Sequence, residues 1–131
     1  MERVYEYIKI GIAAVGGAIA YVFGPFDGLI IALIVAVALD YATGVAKACV
    51  KGQLSSEYGF KGLLKKAVIF GVVGLAAMVD RLLPAANEAI RAAAILFYIS
   101  NEGISLLENA AELGLPLPKG LTDALKQIQK Q

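Results

Sequence analysis

Gly28-Leu-Ile-Ile-Ala-Leu-Ile-Val-Ala-Val-Ala-Leu-Asp40-Tyr-Ala-Thr-Gly-Val-Ala46 is the stretch that decides how this chain is read. Its 19 residues include nine Leu, Ile or Val and a single charge, Asp40. A membrane-crossing helix needs about 20 mostly apolar residues. Each large aliphatic residue contributes roughly −0.3 to −0.6 kcal/mol to insertion, against about +2.5 to +3.5 for a central Asp. Nine of them offset one off-centre carboxylate, so the segment is expected to span a bilayer. Asp40, inside that span, must then be neutral, partnered or facing water.

Working outward, three further apolar runs flank this one, giving expected spans near residues 5–23, 28–46, 67–83 and 89–107. A chain of 131 residues has no soluble core that could hide four such stretches. Composition agrees: 59% of residues are apolar and 18% charged, where soluble domains have about 45–50% and 25%. The expected class is an all-α integral membrane protein. The chain has no His and one Cys, Cys49. That leaves no Ser-His-Asp triad, no His-ligated metal and no intramolecular disulfide. No enzyme, cofactor or metal site is expected.

The connections point to two helical hairpins. Gly24-Pro25-Phe26-Asp27-Gly28 and Leu83-Pro84-Ala85-Ala86-Asn87 are breaker clusters between adjacent spans. Residues 47–66 read as a basic linker, in which Lys61, Lys65 and Lys66 lie beside Tyr58, Phe60, Leu63 and Leu64 as an interfacial segment on anionic lipid. Residues 1–115 form the membrane domain and 116–131 a polar tail, where Leu121, Leu125 and Ile128 recur at helical spacing. Ala18-Ile19-Ala20 would also serve as the cleavage site of a signal peptide. The weakly basic start favours a retained span.

Charge placement gives the expected orientation. Ten of the twelve basic residues fall on the side shared by both termini and the central linker; only Arg81 and Arg91 fall on the other. By the positive-inside rule both termini are cytoplasmic, in a bacterial cytoplasmic membrane. This topology also accounts for the lysines without any nucleic-acid role.

The same topology sorts the buried polar residues by depth. Asp80 and Arg91 fall at the outer ends of neighbouring helices and are expected to pair. Asp40 and Glu102 fall at similar inner depth, with Asn101 beside Glu102. They form either a polar clamp between helices or the lining of a water-filled path in an assembly. Small residues, among them Gly17, Ala36, Gly44, Gly71 and Gly74, recur on several spans at spacings that let helix backbones approach closely in lipid. They serve packing within one chain or self-association, and several helices carry them, which favours a homo-oligomer.

In order along the chain come Asp40-Tyr41-Ala42-Thr43-Gly44, then Gly52-Gln53-Leu54-Ser55-Ser56 with Gly59, Gly62, Lys65 and Lys66, a helix ending in Asp80, and Asn101-Glu102-Gly103-Ile104-Ser105-Leu106-Leu107-Glu108-Asn109, followed by Gly114-Leu115-Pro116-Leu117-Pro118. On these elements the chain resembles the toxin-secretion/phage-lysis holins. The resemblance implies a membrane protein that accumulates, then assembles into lesions through which an endolysin or a toxin leaves the cell. It implies a functional partnership with the endolysin that needs no direct contact. The contrasting reading is a small oligomeric ion channel or transporter using Asp40 and Glu102.

Overall fold

The computed structural model describes residues 1–130, which form five α-helices: α1 (Glu2–Phe23), α2 (Gly28–Val50), α3 (Ser56–Leu82), α4 (Ala89–Glu112) and α5 (Lys119–Lys130). α1 to α4 are each long and apolar enough to cross a membrane. Their 22 to 27 residues reach about 33–40 Å at 1.5 Å per residue, more than the ~30 Å hydrocarbon layer. The protein is an all-α, multi-pass membrane protein.

Local chemistry sets the helix ends. Gly24, with φ +81°, stops α1, and Asp27 starts α2 by accepting the Ile30 N–H at 3.1 Å. Ser55 starts α3 in the same way, accepting from Tyr58 N–H at 3.0 Å. Each thereby satisfies an amide that has no partner within its helix. Between α3 and α4 a 3-10 turn (Pro84–Ala86) leads into Asn87 and Glu88, both in the left-handed region at φ 50° and 65°.

α4 is the hub. It packs along α2 most extensively and along α3 on its neighbouring side. Ile30, Leu33 and Val37 of α2, Ile69 and Val73 of α3, and Ile95 of α4 form the apolar core between them. α1 rests chiefly on α3, where Val22 and Phe23 meet Gly74. None of its residues is buried.

Besides α4 running on to Glu112, two features go beyond the sequence expectation, one a boundary and one a contact. The stretch 47–66 is helical for most of its length: α2 runs on to Val50 and α3 begins at Ser56. The reason is that lysines and aromatics do not break a helix. Once Ser55 caps the first turn, nothing before Leu82 stops it, and Lys66 belongs to a spanning helix. The second concerns the polar tail. Its helix α5 folds back on α4, with Leu125 against Gly103; the last residue of the expected tail, Gln131, lies outside the described residues.

Candidate functional site

Each of the three central helices carries its buried charged residues on the same stripe as its core residues. On α3, Lys66 shares a face with Ile69, Val73, Ala77 and Asp80, spaced at three and four. On α2 the stripe runs Ile30, Leu33, Val37, Asp40, and on α4 it runs Arg91, Ile95, Glu102, Asn109. Packing those faces together stacks the polar residues into two layers, one at each end of the apolar core.

The layer at the lysine-rich end ties three helices through one ammonium. Lys66 Nζ donates to Asp40 Oδ2 and to Glu102 Oε2, and all three side chains are largely buried. Asn109 Nδ2 completes the layer, donating to Asp40 Oδ1 at 3.1 Å and to Thr43 Oγ1 at 3.0 Å. Thr43 in turn donates to Leu39 O at 2.8 Å, and Ser100 Oγ to Phe97 O at 2.7 Å. Among the described residues no buried side-chain nitrogen or oxygen lacks a partner. With both carboxylates ionised, two negative charges and one positive leave −1. A net charge at this depth requires a proton, a counter-cation or water beside it. Asp40 and Lys66 do line a cleft of about 290 Å³ that also takes in Lys61, Lys65 and Ser105.

At the other end Arg91 replaces the expected Asp80–Arg91 ion pair with a different arrangement. Its guanidinium donates to Phe23 O at 2.7 Å, to Pro25 O at 2.8 Å and to Asp27 Oδ2 at 2.9 Å. Asp80 instead accepts the backbone N–H groups of Ile90 and Arg91, at 3.2 and 2.7 Å. Glu88 makes no capping bond to the start of α4, so the carboxylate of α3 supplies the cap from outside. That leaves the guanidinium free to bind the carbonyls closing α1, a natural seat for a cation. The Arg91 hydrogen bonds, the leading cause, also hold the Asp27 carboxyl below the usual aspartate range. Gly24 is required here twice over: its φ is +81°, and a Cβ would come within 2.9 Å of Arg91 Nε.

The layers lie 14 residues apart on α3, 13 on α2 (Asp27 to Asp40) and 11 on α4 (Arg91 to Glu102). At 1.5 Å per residue that is about 21, 20 and 17 Å, all less than the ~30 Å of hydrocarbon. Buried charge at membrane depth is therefore unavoidable, and protein rather than lipid surrounds it.

Other residues singled out in the sequence lie elsewhere. Asn101 is exposed, about 100° around α4 from Glu102. Gly44 faces Asn109, Gly74 faces α1, and Gly17 and Gly71 look onto open space. Ala36 is half-buried, and Lys61 and Lys65 are exposed. Asp27 and Asn109 are site residues that the sequence showed only as part of a turn and as the end of a motif, with no role attached. The spacing of seven between Glu102 and Asn109, which puts them on one helical face, was the available signal.

The bacteriophage holin family matches residues 17–130, and so contains both polar layers. The chain belongs to the bacteriophage holin family. This places it in a class of non-enzymatic membrane proteins. Among similar proteins, an uncharacterized 14.9 kDa protein in the nagH 3′ region of Clostridium perfringens is 44% identical over 131 residues, covering 100% of this chain and 99% of the relative. A protein of Bacillus phage phi105 named "Probable holin" is 37% identical over 110 residues, 84% of this chain and 80% of the relative. An uncharacterized protein of Listeria innocua is 38% identical over 118 residues, 90% of this chain and 84% of its own length. No solved structure gives a significant match.

Proposed function

We propose that this holin-family chain oligomerises in the bacterial cytoplasmic membrane, with both termini on the cytoplasmic side, and opens lesions that release an endolysin or a toxin at a set time. The observation that carries the reading is the Asp40–Lys66–Glu102 cluster, a polar group held inside three helices apolar enough to span. Such a cluster stabilises the single chain only while it faces inward. When chains crowd, small residues that face open space, Gly17 and Gly71, offer close helix contacts between copies. Repacking through those contacts turns the polar stripes of α2, α3 and α4 toward a shared aqueous path. Loss of the membrane potential biases that step, since a charge crossing the full field is worth about 2.3 kcal/mol per 100 mV.

The test is co-expression with a cytoplasmic muralytic enzyme in a bacterial host. The expected result is abrupt lysis after a silent delay, requiring both proteins. Ion leakage with the enzyme still inside the cell would instead make the chain a small channel, with Asp40 and Glu102 on its pathway.

A further inference from the structure

The cleft beside the Lys66 cluster gathers more positive charge than the cluster itself uses. Its wall includes Lys47, Tyr58, Lys61, Lys65 and Ser105, together with the buried Asp40 and Lys66. Four ammonium groups meet there, but two are already committed. Lys66 serves Asp40 and Glu102, and Lys47 lies 3.6 Å from Glu112. Lys61 is held only by Glu57, at 3.4 Å, with both side chains more than two-thirds exposed, an arrangement that binds weakly. Lys65 has no ion pair among the described residues.

Lys61 and Lys65 also head a stripe. Positions 61, 65, 68, 72 and 75 alternate steps of four and three and so share one face of α3. Below the two lysines that face is apolar and open, with Val68 and Leu75 65% exposed and Val72 37%. Spare positive charge over a cleft, continued by an apolar strip running toward the far side of the membrane, matches an anionic amphiphile. A free anion would use only the upper half of it.

We propose that this face binds an anionic phospholipid of the leaflet at the lysine-rich end. Lys61 and Lys65 hold its phosphate at the cleft, and an acyl chain lies along Val68, Val72 and Leu75. Compact ammonium groups suit phosphate as point charges. The cleft volume of about 290 Å³ lies just below the roughly 300–1,000 Å³ of sites for whole small molecules, a size for a headgroup rather than a complete ligand. The site stands whether or not the chain makes lesions.

The experiment is native mass spectrometry of the full chain in detergent, with phosphatidylglycerol and phosphatidylcholine of identical acyl chains. Lys61→Gln/Lys65→Gln is compared with Lys119→Gln/Lys126→Gln, which removes the same charge on α5, and circular dichroism verifies that both keep their helix content. The wild-type chain and the α5 variant should retain phosphatidylglycerol roughly tenfold or more over phosphatidylcholine, as two near-surface lysines imply. The Lys61/Lys65 variant should lose that preference. Equal retention of the two lipids, equal loss in both double variants, or displacement by millimolar inorganic phosphate would each overturn the proposal, the last in favour of a free-anion site.

Discussion

Lys66 sits between two carboxylates that would otherwise face each other across α2 and α4. Replacing it with Met leaves both without their cation, a change that costs about 3–5 kcal/mol at a buried pair. Glu102→Gln keeps the shape and removes the excess negative charge, so it should cost far less. Thermal melts followed by circular dichroism in detergent check this; a Glu102→Gln variant as unstable as Lys66→Met would sink the account. Asp27 gives a pH signature at the opposite end. Arg91 lowers its pKa in the folded chain below the ordinary 3.8. Its stabilisation is therefore complete above that value and disappears as pH falls through the lower folded one. Between pH 5 and 2 the wild-type chain should lose more stability than Asp27→Asn, which has no such carboxylate to protonate. Asp40 and Glu102 were legible in the sequence because a carboxylate inside an apolar run is anomalous on sight. Lys66 was not, because a lysine beside another lysine at the edge of a polar stretch reads as surface. Only a helix begun at Ser55 puts it on the stripe of Ile69 and Val73.

Among elements, α5 is the one whose placement composition left open. Its apolar positions Leu121, Leu125 and Ile128 announced an amphipathic helix, but not the surface it would cover. Gly103 marks that surface: a Cβ there would lie 3.0 Å from Leu125 Cδ1, so any larger residue makes Leu125 give way. Gly103→Leu should push α5 off α4 while leaving α1 to α4 in place. Limited proteolysis reads this out as faster cutting around Leu115–Lys119, with unchanged membrane insertion. Resistance equal to the wild type would mean that α5 is held by other contacts. The four spans themselves were legible, since apolar length is a strong signal in membrane helices. The start of α3 was not, because hydropathy registers where a helix enters lipid and is silent on where its hydrogen bonding begins.

At the scale of the whole molecule, the packing is uneven. α2, α3 and α4 share a core and two polar layers, while α1 is joined along its length by no buried residue. It is held at its end, by Arg91 to the Phe23 carbonyl and by Arg81, which lies 4.1 Å from the Tyr21 ring centre. The open surfaces this leaves are where copies should meet. In a Cys49→Ser background, Gly71→Cys should give disulfide-linked dimers on oxidation in membranes, and Val73→Cys, fully buried in the chain, should not. Equal cross-linking at both positions would argue against an ordered contact through that face.

The buried cluster also imposes a timetable on biosynthesis. Asp40 meets Lys66 26 residues later in the chain and Asn109 69 residues later. At about 5–20 residues per second, those gaps are roughly one to five and three to fourteen seconds of translation. For that interval a newly made α2 holds a carboxylate whose lysine and amide partners have not yet been made. The nascent hairpin therefore matures only when later helices reach it, and the ribosome's pace is part of how this protein enters the bilayer.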